Sequence, residues 1–127
     1  MFPSPAHVLV VDDSPLMRRM VRDLLESEPG FRIVGEAENG REAIQKAKQL
    51  QPDLVVLDLG MPVMNGLEAA SGIKRAVSDV RIILFTLYGD ADVERTARSL
   101  RIDAVVSKEN LDRVVETARR LVDSGPG

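Results

Sequence analysis

The 127-residue chain is 44% apolar and 29% charged, the balance of one globular domain with a single core rather than of a disordered segment. Its net charge of −3 offers no basic surface to nucleic acid, and without cysteine it can form no disulfide, thiolate nucleophile or zinc–thiolate site. No apolar run approaches the ~18 residues of a membrane helix, and residues 1–7 lack the features of a secretory signal, so a cytoplasmic protein with no membrane partner is expected.

Five short β-branched runs, at 7–11, 31–36, 54–57, 81–85 and 103–107, alternate with five segments of helical spacing. The runs are mostly apolar, as expected for parallel strands covered on both faces. Ser14-Pro15 predicts the cap and first position of a helix whose apolar face carries Leu16, Met17, Met20, Val21, Leu24 and Leu25. Asn39 with Glu42, and Asn65 with Glu68, predict capped starts for the second and third helices. The fourth, with Val93, Thr96, Ala97 and Leu100, is the least apolar, and the fifth carries Leu111, Val114, Val115, Ala118, Leu121 and Val122. This (βα)5 alternation predicts an α/β, flavodoxin-like, doubly wound five-stranded parallel sheet of order 2-1-3-4-5, preferred over 3-2-1-4-5. A single domain with its core over about 6–122 is expected. Residues 123–127 read as a fraying tail or the start of a linker to an output domain.

In such sheets ligands sit beyond the carboxyl ends of the strands. There the first strand ends in Asp12-Asp13, the third in Asp58 and the fourth in Thr86, and the fifth reaches Lys108; only the second, ending near Glu36, offers nothing obvious. Two carboxylates ~4 Å apart repel by roughly 4 kcal/mol at an effective dielectric near 20, so such a cluster needs a proton or a cation. Oxygen donors alone, without His or Cys nearby, select Mg²⁺, with Mn²⁺ as a substitute, over zinc or copper. One cation there also suits phosphoryl transfer to Asp58, with Lys108 as a second positive charge and Thr86 as a hydrogen-bond donor.

The stretches VLVVDDSP, DLGMPVMNG and ILFT, followed by a lysine after the fifth strand, resemble the response-regulator receiver domain of two-component signal transduction over about residues 6–122. The resemblance implies that Asp58 takes phosphate from a sensor histidine kinase, a phosphotransfer protein or a small phosphodonor. It implies Asp13, Asp58 and the Gly60 carbonyl as direct magnesium ligands, with Asp12 acting mainly through water. Lys108 pairs with the phosphoryl group, Thr86 is the switch hydroxyl, and Pro62 and Gly66 shape the intervening loop. The implied protein is a phosphorylation switch, not a turnover enzyme. It controls an output domain or a downstream protein, with homodimerisation through the fourth and fifth helices as a further use of that face.

Four positions depart from the family pattern: Leu87 replaces a small residue after the switch threonine, Val105 replaces an aromatic, Glu109 replaces proline, and residues 99–104 lack the Gly-Ala step. With no ring at Val105, the usual threonine–aromatic coupling has no partner, and Tyr88, the single tyrosine, is the candidate substitute and modulator of phosphoryl lifetime. A receiver-like interaction domain that switches without phosphate is therefore the alternative. A haloacid-dehalogenase-type phosphatase is disfavoured because Gly60 stands where its second acid belongs, and a flavin module because DDSP repels anions. His7 reads as a structural strand residue, Arg18, Arg19 and Arg22 as a solvated helix face, and the methionines other than Met1 mostly as core. The charged strip of Asp90, Asp92, Glu94, Arg95, Arg98 and Arg101 reads as solvated or partner-facing.

Overall fold

The computed structural model describes residues 4–123. Strands β1 (Ala6–Val11), β2 (Phe31–Ala37), β3 (Leu54–Asp58), β4 (Arg81–Thr86) and β5 (Ala104–Ser107) alternate with helices α1 (Pro15–Glu26), α2 (Gly40–Leu50), α3 (Gly66–Ala76), α4 (Ala91–Ser99) and α5 (Asp112–Asp123). The strands form one parallel sheet in the expected order, β2-β1-β3-β4-β5. Asp123 closes α5 instead of opening a tail, while Met1 and residues 124–127 lie outside the described residues.

Alternation along each strand sends side chains to two separate cores. Leu9, Val11, Val55, Leu57, Ile82 and Leu84 pack with Ala43, Ala47, Ala69, Ala70, Ile73 and Ala97 of α2, α3 and α4. Val8, Val10, Leu54, Val56, Ile83 and Phe85 pack on the other face with Val21, Leu25, Val114, Val115 and Ala118 of α1 and α5. Each fully buried large side chain contributes about 1.5–3 kcal/mol, so sheet position is dictated on both faces. Met17 packs in this second core, but Met20 is exposed beside Leu16 on α1, where spacing predicted a buried face.

The helix starts follow their caps. Ser14 Oγ accepts from Met17 N–H, and Asn39 and Asn65 accept from Glu42 and Glu68, the last completed into a capping box. Asp90, read from sequence as part of a charged strip, caps α4 by accepting from Val93 N–H. The exposed Arg95–Asp92 pair on α4 contributes little.

The strand ends differ from the periodicity by one residue, and this matters for function. Asp58 and Thr86 lie within their strands, because Asp58 pairs with Phe85 and Thr86 with Ser107 in the ladder. Asp103 is excluded from β5, since its carboxylate accepts from Ile82 N–H and pairs with Lys74. The backbone N–H of His7 donates to the Asp53 carboxylate at 2.8 Å.

Candidate phosphoacceptor and cation site

Register brings the acids together. Val11 of β1 is level with Leu57 of β3, so the next residues, Asp12 and Asp58, leave adjacent central strands at the same height. Asp13 follows on the exposed loop, and carboxylate oxygens of Asp12, Asp13 and Asp58 all lie within 4.8 Å of one another. Lys108 reaches in from the loop after β5. Its Nζ lies 2.8 Å from Asp12 Oδ2 and 3.0 Å from Asp58 Oδ1; both acids are buried and the lysine is half-buried. The lysine is set by its own backbone, because Lys108 N–H donates to the Thr86 carbonyl at 3.0 Å.

The electrostatics are unbalanced. Burial pushes the Asp58 carboxyl up to about 6 from an ordinary 3.8; the Lys108 hydrogen bond opposes this, while the Asp12 and Asp13 charges add to it. For Lys108, burial works to lower the ammonium pKa, but hydrogen bonds and charge from Asp12 and Asp58 outweigh it and raise the value. One ammonium, paired with Asp12 and Asp58, thus stands in a cluster of three carboxylates. Three oxygen donors and a surplus of negative charge fit a hard divalent cation.

The loop after β3 is shaped by close approach. A Cβ on Gly66 would lie 2.2 Å from the Asp58 carbonyl oxygen, so only glycine lets α3 begin against the Asp58 peptide. Gly66 N–H also donates to the Leu59 carbonyl at 2.8 Å. Gly60, exposed two residues after Asp58, has open space where a side chain would stand. Val63 at the loop tip is exposed with φ of 71°, a strained setting for a β-branched residue. Of the two methionines here, Met61 is buried and Met64 half-buried, as packing predicts.

Thr86 is not joined to the acids. Its buried hydroxyl accepts from Tyr88 N–H at 3.0 Å, turned into the β4–α4 loop. Leu87 and Tyr88 are exposed at 58% and 69%, so the tyrosine ring does not occupy the space behind Thr86. Gly89 lies beside that space: a Cβ there would stand 3.3 Å from Val105 Cγ1 and 3.7 Å from Thr86 Cγ2, and Leu87, Gly89 and Val105 line an open pocket.

Sequence reasoning missed Arg18. It is not part of a solvated face, for Nη1 donates to the Asp12 carbonyl at 2.6 Å and Nε pairs with Glu36 at 3.3 Å. Arg22 pairs with Glu26 and Glu36, and Lys46 of α2 donates to the Glu36 carbonyl. The signal available was weak: a basic residue four positions after the Ser14 cap and an acid at the end of the neighbouring strand.

Comparison with known proteins agrees with this geometry. Residues 8–119 match the family model described as response regulator receiver domain. The chain is 42% identical over 118 residues to a protein-glutamate methylesterase/protein-glutamine glutaminase of Methanosarcina acetivorans, covering 91% of this chain and 34% of that protein. It is 37% identical over 115 residues to chemotaxis protein CheY of Thermotoga maritima, covering 90% of this chain and 95% of that protein. The CheX–CheY–BeF3–Mg complex of Borrelia burgdorferi superimposes with a TM-score of 0.88 at 26% identity, over 94% of this chain and 90% of that one. The chain spans about a third or less of the length of the methylesterases it matches. Among the described residues no helix is long and apolar enough to cross a membrane.

Proposed function

The chain belongs to the response regulator receiver-domain family, and from that premise we propose that Asp58 is its phosphoacceptor and that Mg²⁺ completes the site. As a receiver domain it is a switch set by its phosphorylation state rather than a turnover enzyme. The observation that carries the assignment is the clustering of the Asp12, Asp13 and Asp58 carboxylates within 4.8 Å, with Lys108 paired to Asp12 and Asp58. The presence of magnesium and beryllofluoride in the similar Borrelia complex supports the choice of ion.

Asp13 and Asp58, with the Gly60 carbonyl, are the direct ligands in this reading, and Asp12 acts through water. The bound ion supplies charge neutralisation for the incoming phosphoryl group. Asp58, with its carboxyl near 6, is mostly ionised at neutral pH and able to attack phosphorus as the donor's bond breaks. Lys108 then shifts its pairing to the phosphoryl oxygens, and Thr86 gives up the Tyr88 N–H to donate to one of them. That exchange frees the β4–α4 loop, whose altered position is the output signal. Moving such an equilibrium from 1:99 to 99:1 takes about 5.5 kcal/mol of differential stabilisation.

The donor is a sensor histidine kinase or a phosphotransfer protein. The output is a linked domain, as the methylesterases spanned to about a third support, or a separate downstream protein, as the CheY spanned to 95% supports. A second copy docking through α4 and α5 is the reading for any dimer. The complete acid–lysine set argues against the phosphate-independent alternative. The test is incubation with acetyl phosphate and Mg²⁺, followed by intact mass. One added phosphoryl group, abolished in Asp58→Asn and by chelation, is expected; an unmodified wild-type chain overturns the reading.

A further inference from the structure

Asp12 and Asp13 are neighbours in sequence but are held very differently. Every polar atom of Asp12 has a partner. Its N–H donates to the Ala37 carbonyl, Oδ1 accepts from Ser14 N–H, Oδ2 pairs with Lys108, and the carbonyl accepts from Arg18. The Asp13 side chain is exposed, and among the described residues it has no hydrogen bond or ion pair of its own. What places its carboxylate within 4.8 Å of the others is its backbone, beginning with the peptide that joins it to Asp12.

That peptide is held through its carbonyl, and the peptide before it through its N–H. Ala37, on the edge strand, anchors the Asp12 N–H at 3.0 Å, and Arg18 grips the Asp12 carbonyl at 2.6 Å. Rotation of the Asp12–Asp13 peptide would swing the Asp13 side chain away from Asp58. Arg18 is itself clamped, because Glu36 holds its Nε, and Glu36 is held in turn by Arg22 and, at its carbonyl, by Lys46. The planar guanidinium satisfies two acceptors in different directions at once, which an ammonium on a flexible stem does poorly. The second strand, which places no carboxylate in the cluster, thus reaches the site through Glu36 and Arg18.

We propose that Arg18 is a positioning residue for the divalent cation, fixing the Asp12–Asp13 peptide so that the unpartnered Asp13 carboxylate is pre-aimed at the ion. The inference rests on the reading of Asp12, Asp13 and Asp58 as a magnesium site. Partners that orient metal ligands typically change affinity by about 10- to 100-fold when removed. Arg22 shares Glu36 but touches neither acid, so it is the matched control.

The test is a magnesium titration of the intact chain, followed through the backbone amide resonances of Asp13 and Lys108, on wild type, Arg18→Met, Arg18→Lys and Arg22→Met. Thermal unfolding without metal is measured in parallel. Expected are about tenfold weaker binding in Arg18→Met, an intermediate loss in Arg18→Lys, and less than about twofold change in Arg22→Met. Phosphorylation by acetyl phosphate should recover in Arg18→Met at raised Mg²⁺, which a general folding defect would not allow. Should Arg18→Met fail to fold, Arg18→Lys, which keeps a cation for Glu36, decides the question. Unaltered magnesium affinity in the folded Arg18 variants, or equal losses in Arg18→Met and Arg22→Met, overturns the proposal while leaving the magnesium reading intact. A wild type that binds no magnesium sinks that reading and this inference with it.

Discussion

The two halves of the carboxyl edge are built to opposite specifications. Around β1 and β3, Asp12 and Asp58 are buried and both pair with Lys108, and Gly66 packs against the Asp58 peptide with no room for a methyl group. Around β4 and α4, Leu87 and Tyr88 are exposed, α4 buries only Ala97, and a single hydrogen bond from Tyr88 N–H ties the loop to Thr86. Chemistry at Asp58 needs groups fixed before the phosphoryl group arrives, whereas a readout element must be movable for a few kcal/mol. The contrast places the rigid part at the proposed phosphoacceptor and the soft part at the proposed readout.

The largest test of this contrast removes the ammonium that pairs with both buried acids of the rigid half. Lys108→Met leaves Asp12 and Asp58 buried without a counter-charge, and urea unfolding of metal-free protein at pH 7 should show a loss of about 3 kcal/mol. At pH 4, where Asp58 holds its proton, the loss should shrink; an equal loss at both pH values removes the electrostatic account.

Asp58→Asn acts in the opposite direction. Because the folded-state value near 6 lies above the ordinary 3.8, the folded protein holds a proton that the unfolded chain has released. Asp58 therefore contributes stability that is full below pH ~3.8 and lost as pH rises through about 6. Relative to wild type without metal, Asp58→Asn should be no more stable at pH 3.5 and about 2 to 3 kcal/mol more stable at pH 7. Saturating Mg²⁺ should narrow that gap, and a gap independent of pH would refute the assigned shift.

Two intermediate effects sharpen the boundary between the halves. Val63→Gly relieves the left-handed φ at the tip of the rigid loop and should stabilise the protein by about 1 kcal/mol, read as a raised Tm. Thr86→Val removes the acceptor for Tyr88 N–H and should cost about 1 kcal/mol. Its signature is faster hydrogen exchange at the Tyr88 amide with protection in β1 and β3 unchanged, and exchange that rises equally in both regions would erase the distinction.

The smallest stability effect belongs to Tyr88→Ala. The exposed ring supports nothing in this conformation, so unfolding free energy should move by less than about 0.5 kcal/mol. The decay rate of the phosphorylated form is where this variant should differ, since the ring stands two residues from the proposed switch hydroxyl. Identical decay in both proteins removes Tyr88 from the mechanism.

Much of this was legible before any coordinates. Alternating apolar runs determine the sheet and its two covered faces, and the polar residues that end those runs, Asp12, Asp58, Thr86 and Lys108, name the functional edge, because strand direction alone puts them there. Periodicity could not resolve Met20, whose helix presents Leu16 and Met20 outward because the sheet and α5 cover only one side of α1. Nor could it tell that Asp12 is buried and Asp13 exposed, since two adjacent acids look alike until the chain turns between them.

What the sequence determined by itself is the fold and the edge at which the polar strand-end residues gather, both consequences of local periodicity and residue type, and the family, through the resemblance its motifs carry. What only the tertiary structure decided is how that edge is wired. Thr86 faces the loop, Val105 meets Gly89 rather than an aromatic partner, and Arg18 leaves an apparently solvated helix face to close on Asp12 and Glu36. Those contacts join residues from separate elements, and the free energy that selects them, the need to satisfy buried carbonyls and carboxylates, exists only once the strands have brought them together.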